Sequence, residues 1–564
     1  MPATALENDA HRPAPRPKLG RLTTQLGAAA LLVALADALF YGHRLGLSLA
    51  LFLAVLAGAS ACLNRVRAEP ARRWCAALML TAGLLPIVED LNWLSVTIAL
   101  LATAVCARTL SEAQDPRWQE HLRAALRLPF SGVFRLSGDL ARASRYRMRR
   151  GQRTGILAGL LGWTVPLLLC AVFITLFISA NPLMEIWLKR IDIIAILTQM
   201  ASGRSLFWAV MLCLIWPLMR IRPLRNRKCL RPAPAATVAT LHPLDPLSDR
   251  TVRRSLVLFN GLFAVQTAMD IAYLWGGASL PDGMSHAAYA HRGAYPLVVT
   301  ALLAATFVLI AMRPAGSSER DPRIRPLILA WVGQNILLVL SALLRLDLYV
   351  ETYSLTELRI AAFVWMLLVM AGLMLILVQI LARKNIGWLV SANALALALT
   401  LYAYSFVDTA VVIANFNFRH SYEMRAEGQP VDLDYLRSLG PSIIPAVDRY
   451  VPRMVATGRF APKFRQAPWA RAGQAIADRR DALAWCHLQA QAGWRAWSFR
   501  GWRLSRYLAN PPAPPFKAML ESPAATSEGA KERLCSIVLP RVENSSLALQ
   551  RFGLLALSLA FKMS

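Results

Sequence analysis

The chain has 564 residues, of which 56% are hydrophobic and only 17% charged, yet its formal net charge is +29. An average soluble globular protein is about 45–50% apolar and about 25% charged, so this composition excludes a disordered polycation, and the repeated long apolar runs exclude a soluble globular enzyme. We therefore predict a polytopic membrane protein whose positive charge reflects the position of its loops.

Eleven apolar runs follow one another along the chain. A bilayer core about 30 Å thick is crossed by about 20 mostly apolar helical residues, because lipid offers backbone N–H and C=O groups no partner. The runs are 24–41, 45–63, 74–88, 92–107, 154–180, 206–219, 255–275, 294–312, 326–345, 359–382 and 386–415. The first run is long and lacks a clear cleavage site, so we interpret it as a membrane anchor rather than a signal peptide.

The basic residues are concentrated in every second segment that connects these runs. Of the 62 Lys and Arg residues, 34 lie in segments that are cytoplasmic if the N-terminus is inside, and 7 lie in the alternate outer loops. Cytoplasmic loops carry the excess of Lys and Arg. The pattern predicts a cytoplasmic N-terminus and, after eleven spans, a C-terminal part outside the cytoplasm. That part holds 21 basic residues, but long domains translocate largely regardless of their charge.

These assignments predict an all-α fold, namely a polytopic transmembrane bundle of about eleven spans followed by a helical C-terminal extramembrane domain. We expect a multi-pass protein of the bacterial inner membrane with a periplasmic C-terminal domain. The predicted parts are a cytoplasmic N-tail (1–22), four spans (23–107), a basic cytoplasmic segment (108–153), seven spans (154–415) and the C-terminal domain (416–564).

The cytoplasmic segment 108–153 is predicted to form an amphipathic helix. Trp118, Leu122, Leu126 and Phe130 lie along one side among many arginines. Such a helix binds anionic lipid headgroups, at about 1 kcal/mol for each basic residue near the surface, or it packs on the helix bundle. The sequence leaves both alternatives open.

The C-terminal part combines aromatic and basic residues, as in Trp494, Arg495, Trp502 and Arg503. Aromatic side chains stack on nucleic-acid bases, but they also mark the membrane–water interface. An extracytoplasmic position argues against nucleic acid, so anionic headgroups or an envelope partner are the expected contacts.

Two cysteines of the C-terminal part, Cys486 and Cys535, form a predicted disulfide, because an oxidising compartment favours that bond. His286 and His291 share an outer loop without a third ligand nearby, so we predict no metal site.

The sequence lacks the motifs of known catalytic sites. It contains no Gly-rich phosphate loop, no H-E-x-x-H, no C-x-x-C and no G-x-S-x-G, so we predict no catalytic residue and no cofactor. Glu89 and Asp90 form an acidic pair at an outer turn. We interpret this pair as a solvated turn, with the site of an integral-membrane transferase as the alternative.

Polar residues inside three spans form stripes at helical spacing. An ionisable group inside a span costs at least about 2.5 kcal/mol unless it faces a partner or water. The stripes are Asn260, Gln266 and Asp270; Gln334, Ser341 and Arg345; and Asn393, Thr400, Tyr404, Asp408 and Asn415. They predict a shared polar interior, which consists either of hydrogen bonds between packed helices or of a hydrated cavity that serves as a substrate path.

A charged segment follows the second of these stripes. We predict an outer gate in which Arg345 pairs with Asp347 or Glu351, and Arg359 opens the next helix. Tyrosines in the same segment are expected as anchors at the membrane–water interface.

Several motifs in this half of the chain resemble a family of bacterial polytopic inner-membrane proteins known only as a domain of unknown function. The resemblance covers roughly 250–450, with a looser match over the N-terminal spans. The motifs are Tyr273-Leu-Trp-Gly-Gly, Leu280-Pro-Asp-Gly283, Tyr289-Ala-His-Arg-Gly293, the run from Arg345 to Arg359, Asn415-Phe-Asn417, Asp434-Tyr-Leu-Arg-Ser-Leu-Gly440 and Ile443-Ile-Pro-Ala446. The resemblance implies a membrane protein with an extracytoplasmic C-terminal part, and it brings no activity, cofactor or catalytic residue.

The first functional hypothesis is a non-enzymatic membrane protein that binds or translocates a small or lipid-linked solute through the polar interior. The alternative is an envelope scaffold or sensor that acts through its C-terminal domain, and an integral-membrane transferase is the third. The sequence identifies no substrate, coupling ion or oligomeric state.

Overall fold

The computed structural model describes residues 19–64, 66, 68–112, 118–149, 170, 203–221, 249–275, 303, 323–457 and 469–511. These residues form helices and contain no strand, which confirms the all-α prediction. The α-helices are α1 Leu19–Phe40, α2 Leu47–Leu63, α3 Pro70–Glu89, α4 Trp93–Ser111, α5 Trp118–Phe130, α6 Gly132–Arg149, α7 Gly203–Met219, α8 Asp249–Asp270, α9 Ile324–Tyr353, α10 Glu357–Leu381, α11 Ile386–Tyr404, α12 Thr409–Arg419, α13 Tyr422–Arg425, α14 Leu433–Ser438, α15 Ile444–Thr457, α16 Trp469–Ala490 and α17 Phe499–Ala509.

Seven of these helices, α1, α3, α4, α8, α9, α10 and α11, are long and apolar enough to cross a membrane, and α2 and α7 are apolar but shorter. By length and composition the chain is therefore a multi-pass membrane protein. The nine helices coincide with nine of the eleven predicted runs. The other two runs, 154–180 and 294–312, lie outside the described residues apart from Cys170 and Leu303, so the total of about eleven spans stays a prediction.

The prediction of one continuous helix over 386–415 is wrong. α11 ends at Tyr404 and α12 begins at Thr409. Asp408 takes an extended backbone conformation between them, and its carboxylate accepts the backbone N–H of Val411 at 3.2 Å. A carboxylate in this position satisfies a backbone donor that the first turn of a helix leaves without a partner. Asp408 is thus the N-cap of α12 and not a member of a stripe on a single helix.

The chain forms two compact units. The first contains the described residues up to 221 together with 490–502. Its apolar core includes Leu53 of α2, Ile87 of α3 and Trp216 of α7, all fully buried. The Trp216 indole N–H donates to Asp139 of α6 at 3.3 Å, and Asp139 also forms ion pairs with Arg142 at 2.7 Å and Arg220 at 3.1 Å.

The basic segment after α4 forms two helices that pack on this unit. Ala125 and Leu128 of α5 are buried against α4, and Gly132 of α6 touches the backbone carbonyl of Cys213 in α7 so closely that a Cβ would lie 1.9 Å away. Leu126, which the sequence places on the predicted apolar side with Trp118, Leu122 and Phe130, is 47% exposed. Of the two alternatives for the segment 108–153, packing on the helix bundle is therefore observed for the face that carries Ala125 and Leu128.

The second unit contains the described residues of 227–489 and 503–540. α8 packs on α9, α9 on α10 and α10 on α11. The C-terminal helices α12 and α15 contribute Ile413, Phe418 and Ile444 to the same apolar core as Ile328 and Trp331 of α9. The C-terminal helices of this unit thus share one core with the helices that are long enough to span.

Asn417 joins α12 to the turn between α9 and α10. Its side chain accepts the backbone N–H of Leu355 at 2.6 Å and donates to the Leu355 carbonyl at 3.0 Å. The neighbouring Asn415 bonds only within its own helix, to the Val411 carbonyl at 2.8 Å. The Asn-Phe-Asn motif therefore contains one amide that links two elements and one that does not.

We expect Asn417→Ala to lower the free energy of unfolding by about 1–3 kcal/mol, because it leaves two buried backbone groups without partners. Asn415→Ala is the matched control and is expected to stay near wild type. Thermal unfolding of the two purified variants in the same detergent measures the difference, and equal stability of both variants would show that Asn417 is not a link.

Candidate functional site

The interface between α8 and α9 is built from two stripes at heptad spacing. On α8 the positions 260, 263, 267 and 270 repeat every three or four residues, and on α9 the positions 327, 331, 334, 338, 341 and 345 do the same. This spacing keeps side chains on one face of a helix. We call the polar members of the two stripes the α8–α9 seam, which consists of Asn260, Thr267, Asp270, Gln334, Ser341 and Arg345.

The two helices run parallel. Asn260 contacts the early part of α9, where it donates to the Leu327 carbonyl at 3.0 Å, and Gln334 donates to the Asn260 carbonyl at 3.3 Å. Asp270 contacts the late part of α9 through Arg345. Both contacts advance along the two helices in the same direction.

Asp270 and Arg345 form an ion pair at the late end of the seam. Asp270 is 1% exposed and Arg345 3% exposed. The guanidinium donates to Asp270 Oδ1, and Gln266 donates to the same oxygen at 3.0 Å. A buried charge is costly unless it is paired and hydrogen-bonded, and here each member provides the countercharge for the other.

The backbone changes form directly after Asp270. Residues Ile271–Trp275 continue α8 as a π-helix. Single π-turns within α-helices occur frequently at functional sites. The buried carboxylate therefore lies at a local irregularity of the helix rather than in a uniform span.

The predicted outer gate is wrong in its pairing. Arg345 pairs with Asp270 of α8, whereas Asp347 and Glu351 are exposed. Successive residues of an α-helix are about 100° apart, so a side chain two positions further along points about 200° away. Asp347 therefore lies on the side of α9 opposite to the seam. Arg359 instead donates to the carbonyls of Tyr353, at 2.7 Å, and Ser354.

This second position gives Arg359 a structural role. Its guanidinium lies over the Tyr349 ring, 4.6 Å from the centroid, at the C-terminal end of α9. Basic side chains stabilise the last carbonyls of a helix. Arg359 therefore closes the α9–α10 turn and takes no part in the seam.

The third predicted stripe is not brought to the seam. Asn393 of α11 donates to the Leu389 carbonyl at 2.9 Å in its own helix, and its oxygen faces Gly372 of α10. α11 packs on α10, so Thr400 and Tyr404 belong to a helix that lies beyond α10 in the packing order. Of the predicted polar interior, Asn260 contacts Gln334, and Asp270 contacts Gln266 and Arg345. Ser341 is buried on α9, and the residues of α11 do not reach this interface.

Two further polar residues were not predicted from the sequence. Thr267 lies on the α8 stripe, seven residues after Asn260 and three residues before Asp270, and this helical spacing could have indicated it. In the first unit, Asp37 of α1 accepts Arg204 at 3.0 and 2.5 Å and the Trp208 indole N–H at 2.8 Å. Asp37 is the one acidic residue of α1, and that isolation in an apolar run could have indicated a partner.

The acidic pair Glu89 and Asp90 is not a solvated turn. Arg500 lies 3.1 Å from Asp90 Oδ2 and 3.7 Å from Glu89 Oε1. Nearby, the backbone N–H of Leu47 donates to the Trp497 carbonyl at 2.9 Å. We call 490–502 the clasp segment, because it contacts both the start of α2 and the α3–α4 turn.

No group of three or more metal-ligating side chains occurs within the described ranges. His286 and His291 lie outside those ranges. Cys486 is buried and disulfide-bonded, and the predicted partner Cys535 lies outside the described residues, so this pairing stays a prediction.

A polar cluster holds three C-terminal helices of the second unit together. Arg480 of α16 donates to both carboxylate oxygens of Asp448 in α15, at 2.9 and 2.8 Å, and the Tyr507 hydroxyl donates to Asp448 Oδ2 at 3.2 Å. Burial, with the adjacent Asp448 carboxylate, raises the pKa of Tyr507 from its ordinary value of 10.0 to about 12.

This shift in the Tyr507 pKa predicts an alkaline loss of stability. Between pH 10 and 12 the folded protein keeps the phenol proton while the unfolded chain releases it, so the contribution is complete below pH 10 and disappears as the pH rises toward 12. We expect Tyr507→Phe to reduce this loss. Thermal unfolding at pH 9 and pH 11.5 measures it, and an identical pH dependence in the variant would assign the loss to other groups.

No curated protein and no solved structure matches the chain. A family model described as "Domain of unknown function (DUF4153)" matches residues 74–450, about two thirds of the chain and a longer stretch than the motifs alone indicated. The matched region contains both α8 and α9, and the chain belongs to this family of unknown function.

Proposed function

We propose that this protein is a multi-pass protein of the bacterial inner membrane that binds or translocates a small or lipid-linked solute through the α8–α9 seam. The observation that carries the proposal is the Asp270–Arg345 pair. Ionisable residues inside spanning helices are costly and mark ligand or ion pathways by default. A pair that served only to hold two helices together is replaceable by apolar side chains at little cost.

The proposed orientation has a cytoplasmic N-terminus and a periplasmic C-terminal part. In the first unit the clasp segment contacts the α1–α2 and α3–α4 turns, which lie on the outer side in this orientation. In the second unit Asn417 contacts the α9–α10 turn, which is also an outer turn. The parallel arrangement of α8 and α9 supports the predicted span at 294–312, and the disulfide of Cys486 is of a kind that oxidising compartments maintain.

The lipid contacts that we propose are on the cytoplasmic side. Leu126 of α5 is 47% exposed and Phe134 of α6 is 56% exposed, close in sequence to Arg123 and Arg127. Exposed apolar side chains beside arginines are the composition of helices that lie on anionic headgroups.

A complementation assay tests the proposed function. In a strain that lacks the protein and shows a growth phenotype, Asp270→Asn is expected to abolish complementation. Because this variant also leaves the buried Arg345 without its countercharge, its level in the membrane is measured in parallel, and the variant Asp270→Leu/Arg345→Leu, which removes both charges, separates loss of function from loss of stability. Asp37→Asn is the matched control, because Asp37 also pairs with an arginine but Arg204 is 52% exposed; this variant is expected to complement. If Asp270→Asn complements fully, the seam has no role in the function.

A scaffold that acts through the C-terminal part is the second candidate. It is favoured by the aromatic side chains of the clasp segment and of the start of α17, where Trp494 is 53%, Phe499 39% and Trp502 40% exposed. Aromatic residues are enriched at protein interfaces. Crosslinking from position 502 to the same envelope protein in both wild type and Asp270→Asn would favour this candidate.

A further inference from the structure

We infer that the ligand of the seam is an uncharged group that donates hydrogen bonds through hydroxyls, either a free polyol or the sugar headgroup of a lipid. This inference rests on the proposed function and adds the chemical class of the solute. Its evidence is the kind of atom that the seam leaves without a partner.

Four side-chain oxygens of the seam are buried and have no hydrogen-bond partner among the described residues. They are Asn260 Oδ1, Thr267 Oγ1, Asp270 Oδ2 and Gln334 Oε1. Buried polar atoms in native proteins are nearly always hydrogen-bonded, and each exception calls for an explanation. A row of such atoms in a helix interface therefore points to a molecule that supplies the missing bonds.

The orientation of the two amides is fixed by their nitrogens. The Asn260 nitrogen donates to the carbonyls of Leu256, at 2.8 Å, and Leu327, at 3.0 Å. The Gln334 nitrogen donates to the Asn260 carbonyl at 3.3 Å. A carbonyl oxygen accepts and cannot donate, so turning either amide around would break these bonds. The two amide oxygens and Asp270 Oδ2 are thus acceptors, whereas the Thr267 hydroxyl both donates and accepts. The group that satisfies all four supplies donors and is able to accept from Thr267 as well, which a hydroxyl does.

The acceptors follow the direction of the helices. Asn260, Thr267 and Asp270 lie seven and three residues apart on α8, which at 1.5 Å per residue corresponds to about 10 Å and about 5 Å along the axis. Gln334 lies at the level of Asn260, to which it is bonded. The arrangement offers acceptors in succession along the interface rather than at one point.

The charge of the seam excludes ions. Its two ionisable side chains, Asp270 and Arg345, neutralise each other. An anion would have to displace Asp270 from the guanidinium and would meet three acceptor oxygens beside the Thr267 hydroxyl, and a cation would meet the guanidinium without an excess of acid. An apolar ligand would leave the oxygens without partners. A neutral donor fits all three conditions, and hydroxyl groups provide it.

Full-length protein reconstituted in liposomes tests the inference with named probes. The free neutral probes are glycerol and sorbitol, and the anionic probe is acetate, each followed by light scattering after an osmotic step. A fluorescent glucosyl lipid and fluorescent phosphatidylglycerol, followed by dithionite quenching, form the lipid-linked arm. We expect a neutral hydroxylated probe, free or lipid-linked, to move faster than in protein-free liposomes, and neither anionic probe to do so.

The variant Thr267→Val sharpens the test. The Thr267 hydroxyl makes no hydrogen bond among the described residues, so a purely structural seam predicts no change. Loss of one acceptor is expected to reduce the protein-dependent rate about fivefold. Thr97→Val is the matched control, because the Thr97 hydroxyl is exposed and bonds only to the Trp93 carbonyl of its own helix; its rate is expected to equal that of wild type.

Three results would overturn the inference: accelerated movement of an anionic probe, movement of water alone, or no movement of any probe above protein-free liposomes. An unchanged rate in Thr267→Val would overturn it as well. If one of these results occurs while Asp270→Asn still fails to complement, the ligand class is wrong and the proposed function stands. Full complementation by Asp270→Asn would remove the proposed function itself.

Discussion

Arg345→Leu is expected to lower the free energy of unfolding by about 3–5 kcal/mol, because it leaves the Asp270 carboxylate buried without its countercharge. Gln266 donates to the same carboxylate oxygen, but a neutral amide does not balance the charge. We expect most of the expressed variant to aggregate on extraction. Size-exclusion chromatography and thermal unfolding in detergent measure the loss.

The double variant Asp270→Leu/Arg345→Leu removes both charges of the buried pair and so tests whether the instability of Arg345→Leu comes from the unpaired carboxylate. Replacing both members of a buried ion pair by apolar side chains is often neutral or stabilising, so we expect the double variant to recover most of the stability that Arg345→Leu loses. The coupling between the two sites is then the difference between the double variant and the sum of the single variants. A double variant as unstable as Arg345→Leu would contradict the pairing of these two residues.

Gly46→Ala is expected to release the clasp segment from the first unit. A Cβ at position 46 would lie 2.5–2.8 Å from backbone atoms of Ala496. Backbone atoms cannot rotate away as the end of a flexible side chain does, and overpacking of this kind costs about 1–3 kcal/mol. Loss of about 1.4 kcal/mol raises the fraction of the open state about tenfold.

Trypsin cleavage in nanodiscs measures this release, since Arg495 and Arg500 lie in the clasp segment. Gly58→Ala is the matched control, because it lies in α2 and an added Cβ there meets no atom within 4 Å. We expect cleavage near Arg500 to accelerate in Gly46→Ala and to stay at the wild-type rate in Gly58→Ala. Equal rates in the two variants would show that the close approach at Gly46 does not hold the clasp segment.

The helical architecture follows from the sequence because lipid leaves the backbone no other way to satisfy its hydrogen bonds. The apolar runs therefore located nine helices. The stripes on α8 and α9 were also predictable, because a spacing of three and four places Asn260 and Asp270 on one face whatever the neighbouring helix is. Periodicity is a property of a single helix, so the sequence alone was enough to predict which residues share a face on α8 and on α9.

Contacts between helices were not predictable in the same way. The sequence suggested a local partner for Arg345, but the observed partner Asp270 depends on the relative position of α8 and α9, which no single-helix pattern contains. The Arg500–Asp90 contact joins residues 410 positions apart and has no signature in the sequence.

Asp408 shows a second kind of failure. An aspartate in an apolar run is consistent with a polar interior and also with a helix N-cap. The periodic spacing from Tyr404 favoured the first interpretation, whereas the observed break between α11 and α12 follows from the second. A side chain that is able to bond its own backbone competes with the periodic pattern at such positions.

The measurement that tests the central claim most directly is complementation by Asp270→Leu/Arg345→Leu, because this variant separates the function of the pair from its contribution to stability. We predict that the variant is inserted at wild-type level, unfolds at a temperature close to that of wild type and yet fails to complement a strain that lacks the protein. Full complementation by this stable, uncharged variant would contradict a functional role of the seam and would leave the ion pair as a contact between two packed helices.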